Sequence, residues 1–435
     1  MSCLLKSANI ATFDPPNVIK ADLRIAGARV VERGPELALR EGEQIIDLTG
    51  KLVMPGMVCA HTHLYSALAR GMPAPPRPPK NFKEILGMIW WRLDRALDEE
   101  SIYWSAMAGA MDAARAGTTC VFDHHASPSH IDGSLQIVRE AIEKVGLRAV
   151  LCYEVTDRSG SQKRDRGLEE NRRFLKWANE SNPELFRAMV GAHASFTLSD
   201  DSLARCAALM REFDAGLHIH AAEDLCDVRD AREQYGLGVV ERLAKHRALN
   251  RKTILAHGVH LSGEDIQIAR EAGVWFAHNP RSNMNNQVGY ASVGQFGERI
   301  VLGTDGIDGD MFEEARFAFF RGRDRAQASC LRAEDWLRVL ANNQHLASQS
   351  FGLDLGSLGP GSAADLVILD YNSPTPITPK NLPWHLAFGL SSASVESVMV
   401  NGRFVVKDRR PALEEDVYAG ARQASEKLWA KLEEI

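Results

Sequence analysis

Hydrophobic and polar positions along the chain fall into two periods. Short apolar runs recur through its middle, and almost every one stops at a histidine or an acid. Leu52-Val53-Met54 is interrupted by Pro55-Gly56, resumes as Met57-Val58-Cys59-Ala60 and ends in His61-Thr62-His63. Thr119-Cys120-Val121-Phe122-Asp123 leads into His124-His125, and Ala188 to Ala192 leads into His193. Gly216-Leu217-His218-Ile219-His220, Thr253 to His257, Val274 to His278 and Ile300 to Asp305 repeat the form, and Arg148 to Val155 brings the number of such runs to eight. The stretches between them carry helical spacing. Ser101 to Ala116 is rich in Ala and Met and stops at Gly117, a residue suited to the left-handed turn after a helix.

Alternating strand and helix predicts a parallel sheet covered by helices. Eight such units, with chemically active residues at strand ends, predict an α/β chain built on a (β/α)₈ TIM barrel, whose catalytic groups come from the C-terminal ends of several strands. The flanks read differently. Ala21-Asp22-Leu23-Arg24-Ile25-Ala26 alternates as a half-buried strand does, and Ile45 to Lys51 continues the pattern to a Gly turn. Gly359 to Asp370 is a turn followed by a strand, and Val395 to Val406 is a hairpin with Asn401-Gly402 as its turn. The predicted organisation is a barrel over residues 56–355 and a small composite β-sandwich domain from residues 1–55 and 356–435, closed by a helix from Glu414 to Ile435.

Two stretches break the rhythm. Met72 to Lys80 is proline-rich and leads into the helix-like Phe82 to Leu97; this 73–97 insertion is expected over the barrel mouth, with Trp90 or Trp91 shielding a site from water. Asp157 to Arg166 is polar and basic and is expected as a solvated loop; a contact from one of its arginines to a substrate carboxylate is the alternative.

A net charge of −6 gives no electrostatic case for nucleic acid or for an anionic membrane. No apolar run approaches the ~20 residues of a membrane span, and the first residues lack a signal-peptide core. The seven cysteines (Cys3, Cys59, Cys120, Cys152, Cys206, Cys226, Cys330) are scattered, never form Cys-x-x-Cys and read as reduced core thiols, so a cytoplasmic location is expected.

The strand ends then acquire chemical meaning. On a strand, residues two apart share a side, so His61 and His63 can aim two imidazoles at one point. With His220 and Asp305 they make three imidazoles and a carboxylate, a donor set for one divalent metal ion, Zn²⁺ or Fe²⁺, with a position left for water. Such a water loses its proton near neutral pH and becomes a nucleophile. Asp305 would accept that proton. Glu223, three residues past His220, would carry protons to a ring nitrogen and then to a leaving amine, and His257 would hydrogen-bond the nucleophile or the developing oxyanion. His218 can exchange roles with His220, and His257 can serve as a fifth ligand. His124, His125, His193 and Trp90 are the expected substrate contacts.

These motifs resemble the amidohydrolase superfamily. The resemblance lies in Pro55-Gly56 ahead of His61-x-His63, His220-x-x-Glu223, Ala256-His257, His278-Asn279-Pro280-x-Ser282-Asn283 and Gly303-Thr304-Asp305-Gly306. Within it, the chain looks like the mononuclear cytosine/guanine/methylthioadenosine deaminase and chlorohydrolase group. It is most similar to the SsnA-type aminohydrolases, through Trp90 to Ser101, Asp123 to Pro128, Leu217 to Asp224, Arg281 to Asn286 and Asp310 to Glu314. The resemblance implies the same ligands (His61, His63, His220, Asp305), the same acid/base groups (Glu223, His257, Asp305) and a homodimer or higher homo-oligomer. Guanine-type relatives carry Gln three residues after the second His, where this chain has Ser66. The expected function is hydrolytic deamination of a small aminated N-heterocycle, purine- or pterin-like. Cyclic-amide ring opening and hydrolytic dechlorination or N-dealkylation are alternatives on the same donor set. A non-catalytic scaffold is disfavoured, because all four ligands and Glu223 are present.

Overall fold

The computed structural model describes residues 2–181, 183–325 and 331–435. Cys330 lies outside the described residues. Eight parallel strands form the barrel: β1 Met57–Thr62, β2 Thr118–His125, β3 Arg148–Val155, β4 Val190–Ala194, β5 Leu217–Ala221, β6 Ile254–His257, β7 Trp275–His278 and β8 Ile300–Leu302. A short extra strand, Phe186–Ala188, pairs beside β3. Helices such as Glu99–Arg115, Ser134–Val145 and Asp200–Phe213 fill the crossovers.

Barrel closure joins the two strands that carry most of the candidate donors. Thr62 pairs with Asp305, and the carbonyl of His61 accepts the N–H groups of both Thr304 and Asp305, at 2.9 and 3.0 Å. Gly303 makes the approach feasible: a Cβ there would lie 2.7 Å from His61 Cβ and 2.5 Å from Asn279 Oδ1. The pairing of β1 with β2 shifts register between Cys59 and Thr62. Val58 and Ala60 pack in the apolar cluster with Phe122, Val150 and Ala256. Past the shift, His61 faces that same interior. A bulge re-aims side chains in this way.

The chain ends build a separate nine-stranded sheet. Leu52–Pro55 runs antiparallel to Leu366–Leu369, which joins the N-terminal strands to the C-terminal ones. These two strands are buried on both sides. Leu52, Met54, Val367 and Leu369 pack into the large core shared with the barrel, while Val53, Leu366 and Ile368 pack with Leu5, Ile10, Leu23 and Ile25. Strands covered on both faces read as continuous apolar runs, which is how both appear in the sequence. The hairpin Val395–Val400/Arg403–Lys407 turns at Asn401 (φ +51°) and Gly402 (φ +74°). A Cβ on Gly402 would strike the Gly27 carbonyl at 1.9 Å.

The helix Glu414–Glu434 packs on Glu99–Arg115 and on the two ends that flank and close the 73–97 insertion. Trp429 Nε1 donates to the Leu68 carbonyl at 2.9 Å, and Arg92 reaches the Leu432 carbonyl. Cys59, Cys120, Cys152 and Cys206 are buried free thiols. Among the described residues, no helix is long and apolar enough to cross a membrane.

Candidate metal centre and cavity

Ligand atoms of His61, His63, His220 and Asp305 all lie within 4.8 Å of one another at the ends of β1, β5 and β8. The Nε2 atoms of His63 and His220 are 3.1 Å apart. Asp305 Oδ1 is 2.9 Å from His63 Nε2 and 3.4 Å from His61 Nε2. Each ring is oriented from behind. His63 Nδ1 donates to the His124 carbonyl at 2.6 Å, and His220 Nδ1 donates to the His193 carbonyl at 2.8 Å. A carbonyl only accepts, so both rings carry hydrogen on Nδ1 and turn Nε2 toward the other donors. His61 Nε2 is buried with no hydrogen-bond partner, while its Nδ1 meets His218 Nε2 at 2.8 Å. His218 therefore stands behind His61, and His220 is the one that faces the other donors.

The charges show what this constellation attracts. Burial pushes the His63 imidazole down, but the carboxylate of Asp305 beside it raises it to about 9 overall. Burial pushes the Asp305 carboxyl up, yet the imidazoles of His61 and His63 beside it hold it well below the usual range. The four donors draw in a positive charge. Three imidazole nitrogens, two of them on rings whose tautomer a carbonyl fixes, and one carboxylate fit a divalent cation, with the far nitrogens anchored as is usual around metal-bound histidine.

Glu223 and His257 sit beside this centre. His257 Nδ1 donates to Asn283 Oδ1 at 2.8 Å, which leaves Nε2 directed at Glu223 Oε2, 3.5 Å away. Glu223 Oε1 accepts from Asn286 Nδ2 at 3.1 Å. Burial raises the Glu223 carboxyl above its ordinary value, against the opposing charge of His257. Backbone strain concentrates here: Ala222 (φ +49°), His257 (φ +72°) and Asp305 (φ +54°) are all left-handed. Such conformations cost about 1–3 kcal/mol each and persist where surrounding bonds over-determine them. Asp227 supplies one such bond, accepting the Ala222 N–H at 2.8 Å.

A cavity opens above the donors, walled by Tyr65, Phe82, Leu86, Trp90, Trp91 and Phe196. Asp94, Glu154, Asp224 and Asp227 form its polar side. The insertion thus lies over the mouth as expected, with both tryptophans on the cavity. His193 also lines it, with Nδ1 2.8 Å from Thr197 Oγ1. Ser66 lines it too, but donates its hydroxyl to the His63 and Gly306 carbonyls, at 2.7 and 2.9 Å.

Two expected substrate contacts are placed elsewhere. His124 and His125 end β2, yet neither lines the cavity, and both are fully buried. His124 Nε2 is shared between the carbonyls of Ala192 and His218, each at 3.1 Å, and His125 Nε2 pairs with Ser127 Oγ at 2.9 Å. The stretch 157–166 is not a solvated loop throughout. A helix begins at Ser161, and Arg158 is folded inward. Its Nη2 bridges Glu154 at 2.8 Å and Asp94 at 3.2 Å, its Nε donates to Thr156 Oγ1 at 3.2 Å, and its guanidinium lies 4.6 Å from the Trp91 ring centre. Two buried carboxylates supply the reason for the inward turn.

Asp94, Glu154, Asn283 and Asn286 had no site role in the sequence reading. Asn283 belongs to the motif after His278, but its partner, His257, lies on another strand. Asp94 and Glu154 stand in runs whose spacing marks only a helix and a strand.

The amidohydrolase family model matches residues 52–405. The chain belongs to the amidohydrolase family. It is 30% identical over 415 residues to a 5′-deoxyadenosine deaminase of Methanothermobacter thermautotrophicus, covering 93% of this chain and 94% of that protein. It is 29% identical over 415 residues to a 5-methylthioadenosine/S-adenosylhomocysteine deaminase of Thermococcus sibiricus, with the same coverage of 93% and 94%. Among solved structures, an adenosine deaminase from Xanthomonas campestris with bound zinc superposes with a TM-score of 0.85 at 22% identity, over 98% of both chains. These likenesses span barrel and terminal sheet alike.

Proposed function

We propose that this amidohydrolase is a metal-dependent aminohydrolase that deaminates an aminated N-heterocycle, purine- or pterin-like, and releases ammonia. The observation that carries the reading is the convergence of His61, His63, His220 and Asp305 directly beside the Glu223–His257 pair, at the floor of an aromatic-walled cavity. A divalent ion, Zn²⁺ or Fe²⁺, held by those four residues supplies Lewis acidity that makes water nucleophilic near neutral pH.

The remaining steps belong to the chain's own residues. Asp305, whose Oδ1 lies beside His61 and His63, takes the proton released from the attacking water. Glu223 retains a proton more readily than an exposed carboxylate does, so it can donate to a ring nitrogen during attack and then to the departing amine. Asn286 holds that carboxyl beside the donor cluster. His257, with Nδ1–H committed to Asn283, presents Nε2 to the nucleophile. Trp90 and Trp91 exclude bulk water and offer flat faces to a ring.

The polar wall narrows the substrate class. Arg158 Nη2 is held by Asp94 and Glu154 and its Nε by Thr156, so two buried carboxylates already counter its charge. The acidic wall here favours a neutral or cationic substituent. Elemental analysis of the purified protein, combined with an ammonia-release screen over aminopurines, their nucleosides and aminopterins, tests the reading. Roughly one Zn or Fe per chain and ammonia from one ring class is the expected result. Absence of metal binding even after reconstitution overturns it.

A further inference from the structure

We infer that the short helix Pro280–Asn285, with Asn286 as its C-cap, is a positioning platform that sets three groups of the site at once. Ser282 Oγ donates to Asp305 Oδ2. Asn283 Oδ1 accepts from His257 Nδ1 at 2.8 Å. Asn286 Nδ2 donates to Glu223 Oε1 at 3.1 Å. Asp305, His257 and Glu223 come from three different strand ends, so nothing in the barrel ladder fixes their spacing beyond the strands themselves. One rigid turn touching all three does. Its members are also tied to one another: the Asn286 N–H bonds the Ser282 carbonyl at 2.9 Å, and Asn286 Nδ2 lies 3.4 Å from Ser282 Oγ.

The platform is clamped from behind by Arg281, which is nearly buried. Its Nε is 2.5 Å from Glu314 Oε2, its Nη1 is 2.5 Å from Glu313 Oε2, and its Nη2 is 2.6 Å from Asp308 Oδ1. All three acids follow Asp305 closely in the chain. The platform is therefore bolted to the same segment that delivers Asp305, so the Ser282–Asp305 distance is fixed from both sides. Bonds of this kind behind a ligand are worth about 10–100-fold in metal affinity or activity, and a displacement of about 1 Å costs on the order of 100-fold in rate.

The two ends of the platform have separable duties. Ser282 acts on a proposed ligand, while Asn286 acts on a group that does not ligate. The experiment compares Ser282→Ala, Ser282→Thr, Asn286→Ala and Asn286→Gln with the unaltered protein. Zinc affinity is read by competition with a chelator, and kcat and KM on the substrate found by the ammonia screen. Ser282→Ala is expected to weaken zinc binding by about 10–100-fold, with Ser282→Thr close to the unaltered protein. Asn286→Ala is expected to keep zinc affinity within about twofold and to lower kcat by about 10–100-fold at nearly constant KM, with partial recovery in Asn286→Gln. Should Ser282→Ala not fold, the isosteric pair Ser282→Thr and Ser282→Val makes the same comparison. Unchanged zinc affinity on loss of the Ser282 hydroxyl, or weakened zinc with unchanged kcat in Asn286→Ala, overturns the platform. The catalytic arm rests on the proposed function and the zinc arm does not. A protein that releases no ammonia thus refutes the function, while the zinc arm still decides the platform.

Discussion

Arg148 on β3 and Asp365, just before the strand that joins the two sheets, meet in a buried two-pronged pair: Nε is 2.6 Å from Oδ2 and Nη2 is 3.0 Å from Oδ1. Both side chains are essentially inaccessible. Arg148 also reaches Asn401 Oδ1 at 2.9 Å and the Glu184 carbonyl at 2.6 Å, so one guanidinium pins the barrel to the terminal hairpin. Removing one partner of a buried pair leaves the other charge uncompensated. Arg148→Met is expected to lower unfolding stability by about 3–5 kcal/mol. Denaturant titration checks this, and a loss under about 1 kcal/mol would show the pair to be dispensable.

His220→Asn removes a donor that faces the cation site, whereas His218→Asn removes the hydrogen-bond partner behind His61. The first is expected to purify with far less than stoichiometric zinc. The second keeps its zinc with affinity reduced by about 10-fold. Equilibrium dialysis followed by elemental analysis separates them, and the reverse order would exchange their roles.

Glu223→Gln keeps size and the bond from Asn286 but cannot shuttle a proton. Zinc content is expected to be unchanged, with kcat lower by about 10²–10⁴-fold. Full turnover in this variant would remove Glu223 from the chemistry.

The commitment of Arg158 to Asp94 and Glu154 predicts selectivity by charge. Between two amino-heterocycles that differ only in a neutral against a carboxylated tail, kcat/KM should favour the neutral one by at least about 10-fold, the worth of ~1.4 kcal/mol. Competition assays with paired substrates measure the ratio, and a preference for the carboxylate would mean that Arg158 swings free.

Asp227 holds the N–H groups of Phe196 and Ala222, at 2.9 and 2.8 Å, and burial pushes its carboxyl up to about 7. A carboxyl raised on folding binds its proton more tightly in the native state. Its stabilising contribution is complete below the unfolded value near 3.8 and is lost as pH rises through about 7. Relative to Asp227→Asn, the unaltered protein should lose stability steadily between those limits, at up to about 1.4 kcal/mol per pH unit. Melting curves of both proteins across pH 4–8 would show it. Parallel curves would place the raised carboxyl elsewhere.

Much of the site was legible because a barrel writes its chemistry at strand ends. His61, His63, His220 and Asp305 each close an apolar run, and the structure gathers those four. The same rule does not bring His124 and His125 onto the cavity wall, since ending a strand does not say which way a side chain turns. Periodicity also hides the register shift after Cys59, because His61 and His63 remain two apart whichever face they take. Arg158 read as solvent-facing because its partners, Asp94 and Glu154, are a helix residue and a strand residue whose spacing carries no mark of the pairing. The division of the chain into residues 56–355 and a composite unit from both ends remains our proposal. It draws support from Leu52–Pro55 pairing with Leu366–Leu369 immediately before the chain enters the barrel.

The bridge between Thr62 and Asp305 joins residues 243 positions apart, and it is where the cylinder is zipped shut. His61 and His63 stand on one side of that seam and Asp305 on the other. A cation gripped by all three would act as a clasp as well as a reagent, holding the first strand to the last. Chelation should then loosen the seam before the rest of the cylinder, with amide hydrogens of residues 61–63 and 304–305 exchanging faster than those between β5 and β6. Uniform exchange after chelation would confine the ion to chemistry alone.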